Sequence, residues 1–203
     1  MKKPFILIIV LFLLLSVFFV SCDSDVTCSE MLNRVLNSES ITVKCNGDIV
    51  FMKDKDTIYW RYVYDYGYDE YYFEKNSTGS GYVYCKEYGE SWVKEPMSDS
   101  DYSEYVKMIS DSYGIEEYAY TLLKYVYDNF DTVMVLNEDE YIMATTAFDI
   151  VENLTMSNSK STLYASFNLY STYYRVEFFS IDNTDVDVPD SVLKAPIGSI
   201  SLP

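Results

Sequence analysis

Apolar and polar residues follow different rhythms along this chain, and each rhythm predicts an element. From Phe5 to Leu15 there is no polar residue, and the apolar run continues past one serine to Val20, behind Lys2 and Lys3. Further on the repeat is three and four. Thr27 and Glu30 have the S/T-x-x-E spacing of a capping box, and Cys28, Met31, Leu32, Val35 and Leu36 follow at helical spacing, which predicts a short helix from Cys28 to Asn37. A second helix is predicted from Ser100 to Asp111, capped by Ser98 or Asp99, with Tyr102, Tyr105, Val106 and Ile109 on one face. Gly114 interrupts it. Ile115, Tyr118, Ala119, Leu122, Leu123, Val126, Tyr127 and Phe130 then recur at steps of three and four, so this helix must lay an apolar stripe on a partner.

Elsewhere the step is two. Ile41 to Cys45 alternates as a half-buried strand, Asn46-Gly47 is a strong hairpin signal, and Asp48 to Met52 returns. Thr57 to Asp65 is dense in β-branched and aromatic residues, Gly67 breaks it, and Glu70 to Lys75, Tyr82 to Lys86 and Ser91 to Glu95 follow as strands, with Pro96 ending the group. After the helices, Asp131 to Leu136, Glu140 to Asp149, Asn153 to Met156, Ser161 to Tyr170 and Tyr173 to Ser180 read as further strands. Strands joined by short turns without intervening helices form an antiparallel meander, so the chain is an α+β protein: an antiparallel sheet with a short N-terminal helix and a central helix pair on one face.

Composition narrows the function. The 203 residues carry a formal charge of −17, and such a surface repels nucleic acid and anionic headgroups alike. Hydrophobic residues make up 49% and aromatics 17%, which separates this acidity from that of disordered chains. Histidine is absent, and with it go the Ser-His and Cys-His nucleophile systems and the commonest transition-metal ligand. Carboxylate pairs such as Glu138 with Glu140 could serve as acid and base, yet no converging set accompanies them, so a non-enzymatic protein without cofactor is expected. Asp182, Asp185 and Asp187 offer oxygen ligands, but not at the spacing of a calcium loop, and read as a solvated acidic edge. The tyrosines, 22 in all, invite a sugar-stacking reading; the plainer one is that Tyr, apolar in body and polar at the tip, suits a sheet wet on one face.

The leader decides where the domain works. A basic start, an apolar middle and small residues at the end are the layout of a secretory signal peptide over residues 1–21. Phe19-Val20-Ser21-Cys22 resembles the lipobox of bacterial lipoproteins, which implies a diacylglyceryl group, palmitate-type chains included, on Cys22, a tether over 22–27 and a domain over 28–195 with an irregular tail at 196–203. Two acyl chains hold a protein stably on a membrane at about 0.8 kcal/mol per buried CH₂. A plain transmembrane anchor is the competing reading. Outside the cytoplasm Cys28, Cys45 and Cys85 allow one disulfide. A helix climbing from Cys28 and a strand returning to Cys45 would bring these two level, which favours Cys28 with Cys45 over Cys45 with Cys85.

The order helix, meander, helix pair, meander behind a lipobox resembles the lipoprotein-carrier and mycobacterial lipid-carrier superfamily, the LolA-like and LppX-like folds. Tyr71-Tyr72-Phe73, Tyr82-Val83-Tyr84, Ser91-Trp92-Val93-Lys94, the helices after them and the closing Asp185-Val186-Asp187-Val188-Pro189 carry the likeness. The resemblance implies an incomplete barrel wrapped on helices that lid an apolar cavity for acyl chains or lipoproteins. Tyr118, Leu122, Leu123, Val126, Trp60 and Trp92 are the candidate lining, and a lipid or other amphipathic molecule the candidate ligand. The alternative is a fully packed domain that docks another protein of the cell envelope.

Overall fold

A computed structural model describes residues 26–77, 80–116, 119–144 and 151–203; Cys22 and Tyr118 lie outside the described residues. Helix α1, Cys28–Asn37, opens with the expected capping box. Thr27 Oγ1 accepts from the Glu30 N–H at 3.2 Å, and the Glu30 carboxylate accepts from the Thr27 N–H at 2.8 Å. Six strands follow: β1 (Ile41–Cys45), β2 (Asp48–Lys53), β3 (Thr57–Tyr64), β4 (Gly67–Lys75), β5 (Gly81–Lys86) and β6 (Val93–Met97). Helices α2 (Asp99–Ser112), α3 (Ala119–Asp128) and α4 (Phe130–Val133) lead to β7 (Met134–Asn137), β8 (Glu140–Met143), β9 (Val151–Asn158), β10 (Leu163–Leu169) and β11 (Thr172–Phe179), with a last short helix, α5 (Asp190–Leu193).

All strands join one 11-stranded sheet in the order β6-β5-β4-β3-β2-β1-β11-β10-β9-β8-β7, every pairing antiparallel. The chain therefore starts in the middle, meanders out to the β6 edge, crosses through the helices to the β7 edge, and meanders back until β11 meets β1. The two edges do not pair with each other, so the sheet is not a closed barrel.

Register carries one apolar face across the middle. Val43 pairs with Phe178 and Phe51, Phe51 with Trp60, Trp60 with Tyr71, and Tyr71 with Cys85, and each of these side chains is buried. Helices α1, α2 and α3 lie on that face: Leu32, Ile109, Leu122, Leu123 and Val126 share its core. Tyr113, in the left-handed region at φ 50 after α2, sits between the two halves of the sheet. Its ring meets Phe51 edge-on at 6.2 Å and Phe178 at 5.5 Å, and its hydroxyl donates to the Val35 carbonyl of α1 at 3.3 Å. Gly114 follows with φ 68, and a Cβ there would stand 2.8 Å from the Val50 carbonyl, so no other residue fits the turn without displacement.

Several boundaries differ from expectation. Asp131 to Val133, expected to open a strand, is helical, because the Asn129 carbonyl takes the N–H groups of Thr132 and Val133 while Phe130 and Val133 turn into the core. Pro96 lies within β6 instead of ending it; an edge strand tolerates a missing N–H. Strand β8 stops at Met143, and Thr145 to Ile150 lie outside the described residues.

The C-terminal segment is a strap. Asp182 donates from its N–H to the Ser40 carbonyl at 2.7 Å and accepts from the Glu39 N–H at 3.0 Å. Thr184 Oγ1 meets Thr42 Oγ1 at 2.9 Å, Val186 N–H reaches Asp54 at 2.8 Å, and the Lys94 Nζ donates to the Leu193 carbonyl at 2.8 Å. The tail at 196–203, expected to be irregular, is fastened to the β6 edge: Lys94 N–H donates to Pro196 O, Gly198 N–H to Lys94 O, and Ile200 N–H to the Glu95 carboxylate. Val186, Val192 and Ala195 are buried, as are Tyr59 and Tyr84 on the sheet face away from the helices.

The junction of the two half-sheets sets the first prediction. Phe178→Ala removes a side chain that is 1% exposed and is expected to cost about 3–5 kcal/mol in urea denaturation. A loss below about 1 kcal/mol would place Phe178 outside the core.

Candidate functional site

The strongest local departure from a sealed domain is the β3–β4 hairpin. Along β3 the residues Ile58, Trp60, Tyr62 and Tyr64 share one side by the two-residue period. At Ile58 and Trp60 that side is core. Beyond them the helices no longer cover it, and exposure rises from 7% at Trp60 to 40% at Tyr62 and 36% at Tyr64. The rings stay in contact: Tyr71 stacks on Trp60 at 5.0 Å, Trp60 meets Tyr62 at 5.4 Å, and Tyr62 meets Tyr64 at 6.1 Å. At the tip Tyr66 is 85% exposed. Tyr88, from the β5–β6 connection, lays its ring where a Cβ on Gly67 would stand, 2.5 Å from it, so only glycine admits this contact.

Carboxylates hold this tip in place and surround it. Asp69 accepts from the Tyr64 hydroxyl at 3.0 Å and from the Tyr88 N–H at 2.9 Å. On the opposite face Glu70 accepts from the Tyr59 hydroxyl at 2.9 Å and stands 3.7 Å from Arg61 and 3.4 Å from Lys86. Burial, and then the Glu70 carboxylate, holds the Tyr59 phenol well above its ordinary range. The Arg61 guanidinium lies over the Tyr68 ring at 4.4 Å, a cation on an aromatic face. Asp65, Glu87 and Glu90 are exposed around the same tip.

Of the residues chosen from sequence as a cavity lining, Leu122, Leu123 and Val126 are 5%, 4% and 0% exposed and belong to the shared core. Trp60 belongs to it as well. Trp92 does not join them: Val93 pairs with core-facing Cys85, which turns Trp92 to the other face, where it meets Tyr72 at 5.6 Å. Open grooves lie elsewhere on the surface. One, about 420 Å³, lies on the polar face of β8 to β11 among Thr155, Tyr164, Ser166, Tyr173 and Arg175. Another, about 510 Å³, lies by the strap among Asn37, Glu39, Asp54, Lys55 and Asp182. No group of three or more Cys, Asp and Glu side chains among the described residues is arranged to hold a metal ion, and no described helix is long and apolar enough to cross a membrane.

The expected disulfide is corrected: Cys28, Cys45 and Cys85 are free. Helix α1 packs over β9 and β10 instead of folding back along β1. Strands β10 and β9 stand two and three places from β1, about 10 Å or more at about 4.8 Å per strand, beyond the reach of a bridge. Cys85, four strands from β1, is farther still. Desolvation pushes the thiols up, Cys28 to about 12 and Cys45 and Cys85 to about 11. Desolvation also raises the Tyr102 and Tyr174 phenols to about 12.

Comparison with known protein families finds no family model that matches this chain, and comparison with curated proteins finds no match.

Two outcomes follow from the buried thiols and phenols. Alkylation is expected to label Cys28, Cys45 and Cys85 slowly in the native protein and fully once it is unfolded, and reductant is expected to leave Tm unchanged; a reductant-dependent Tm would restore the disulfide. The folded protein keeps protons on these groups above 9.0 and 10.0, where unfolded thiols and phenols release them. Their contribution is therefore complete below about pH 9 and lost as pH rises toward about 12. Raising the pH from about 8 to about 10.5 should lower Tm, and a constant Tm across that range would contradict the burial.

Proposed function

We propose that the chain is a membrane-tethered, extracytoplasmic lipoprotein that works by binding, without catalysis, and that it docks another protein of the cell envelope through the tyrosine tip. The lipobox-like Phe19-Val20-Ser21-Cys22 supports the tether. The observation that carries the docking reading is the aromatic row leaving the core at Trp60 and ending in Tyr62, Tyr64 and Tyr66. Exposed tyrosines fixed by a rigid strand give contact area at low entropic cost, which is what an interface needs. Neighbouring exposed aromatic rings of this kind are a common mark of an interaction surface.

The tip also points the right way. Val26, where the described chain begins, accepts a hydrogen bond from Asn158 at the end of β9. In an antiparallel sheet the β9–β10 and β2–β3 turns share one end, and the β3–β4 turn stands at the other. A protein tethered just before Val26 presents its tyrosines away from the membrane.

The competing reading, from the resemblance to LolA-like and LppX-like carriers, would place an apolar or amphipathic ligand under the helices. The packing of Leu122, Leu123 and Val126 favours docking over such a carrier. Labelled palmitate fed to a bacterium expressing the chain is expected to enter it, and Cys22→Ala to abolish the label and release the protein from membranes. A photo-reactive residue at Tyr66 is expected to give one discrete crosslinked partner in cells, lost in Tyr62→Ser/Tyr64→Ser. An exchangeable acyl ligand in native mass spectrometry, with no crosslink from position 66, would replace docking by the carrier reading.

A further inference from the structure

Lysines are scarce in this chain, which makes their placement informative. Lys53 at the end of β2, Lys55 in the β2–β3 turn, Lys75 at the end of β4 and Lys107 on α2 line one groove of about 490 Å³. The wall opposite is α2, with Tyr102, Ser110 and Asp111, and Asp54 of the β2–β3 turn stands beside them. We propose that this groove binds a phosphate-bearing anion, a phosphodiester headgroup or a soluble phosphate ester.

The lysines gather there because α2 crosses the ends of β2, β3 and β4 with one face, and the two-residue period of β2 and β4 turns Lys53 and Lys75 to the same side as Phe51 and Phe73. None of the four forms an ion pair with a described residue, whereas Arg61, Lys86 and Lys124 all do. Two carboxylates share the groove. Asp54 is occupied: its Oδ1 accepts the N–H groups of Asp56 and Thr57, and its Oδ2 that of Val186. With Asp111, two carboxylates stand against four ammonium groups, so the groove keeps a positive balance.

A second observation points inward. Ser110 lines the groove, and its hydroxyl is buried without a hydrogen-bond partner among the described residues. A buried hydroxyl left unpaired is costly, and a ligand oxygen is the partner it lacks. Tyr102 closes the groove as a neutral phenol, its hydroxyl donating to the Asp56 carbonyl at 3.1 Å. The acidity of the whole chain does not forbid an anion here, because charges beyond about 8 Å are screened at physiological salt while contact pairs are not.

The groove lies at the strand ends that also hold the β9–β10 turn and Val26, so a tether would bring it to the headgroups. The palmitate label tests the tether and the following experiment tests the groove, so either can fail alone. Full-length protein is acylated at its amines with a water-soluble reagent, and each lysine is read by mass spectrometry. The comparison is between phosphatidylcholine vesicles, vesicles also containing phosphatidylglycerol, and detergent solution with or without glycerol 3-phosphate. Lys53, Lys55, Lys75 and Lys107 are expected to react several-fold more slowly with the anion, while Lys86 and Lys124 are unchanged. Lys55→Gln and Lys107→Gln should each weaken the effect about fivefold, and added salt should weaken it further. Protection by glycerol 3-phosphate identifies a soluble ester as the ligand, and protection by phosphatidylglycerol alone identifies the headgroup. Absence of protection in both, or equal slowing at Lys86 and Lys124, overturns the proposal.

Discussion

The pairing of the first strand with the last is the constraint on which this molecule depends. Strand β1 hydrogen-bonds to β2, its neighbour in sequence, and to β11, the final strand, with Val43 opposite Phe178. Each meander alone would expose an unpaired inner edge, β1 in one and β11 in the other, at the point where its apolar face is continued by its partner. The pairing makes them one surface, and Tyr113 fixes it by touching Phe51 on one side, Phe178 on the other and α1 above. Because the ends of this contact lie far apart in sequence, the loop-closure cost comes before most of the burial, and the fold belongs to the slow, non-local class.

That topology also explains the helices. The chain leaves the sheet at β6 and re-enters at β7, at opposite edges, and only a segment that spans the whole face can join them. Helices α2 and α3 make that crossing and bury their stripes on the way, so connection and core are the same piece of chain. The remaining liabilities are the edges, since unpaired strand backbone templates aggregation. The β6 edge is covered by residues 196–200, which take up the free N–H and carbonyl of Lys94 and bond to the Glu95 carboxylate. The strap contributes to the domain although it contains little regular structure.

Local signals in the sequence were legible wherever a few neighbouring residues decide the outcome. Thr27 with Glu30 marks a helix start, Asn46-Gly47 marks a hairpin, and the spacing of Leu122, Leu123 and Val126 marks a buried stripe. What could not be read depends on the third dimension. The Cys28–Cys45 pairing failed because the sequence sets the length of α1 but not its direction, and α1 runs over β9 and β10. Trp60 and Trp92 looked alike as aromatic strand residues, yet register turns them to opposite faces. Asp131 to Val133 reads as the start of a strand, and the tertiary burial of Phe130 and Val133 makes it helical. For the tyrosine tip the period of two in Trp60, Tyr62 and Tyr64 was visible, but not the point at which the helices stop covering it.

The same absence of cover accounts for the tyrosines of β3 and β4. A side chain that lies in the core at one end of a strand and in water at the other must suit both, and a phenol does, with an apolar ring and a hydroxyl that can find a partner. Along β3 and β4 the buried members, Tyr71 and Tyr59, satisfy the sheet, while Tyr64 turns its hydroxyl to Asp69 and keeps its ring beside Tyr62. Replacing the row by Leu or Ile would keep the core and leave a greasy, aggregation-prone tip; replacing it by Ser would keep the tip soluble and open the core. Tyrosine is the residue that lets one continuous strand serve as core and as contact surface, which accounts for its density along β3 and β4.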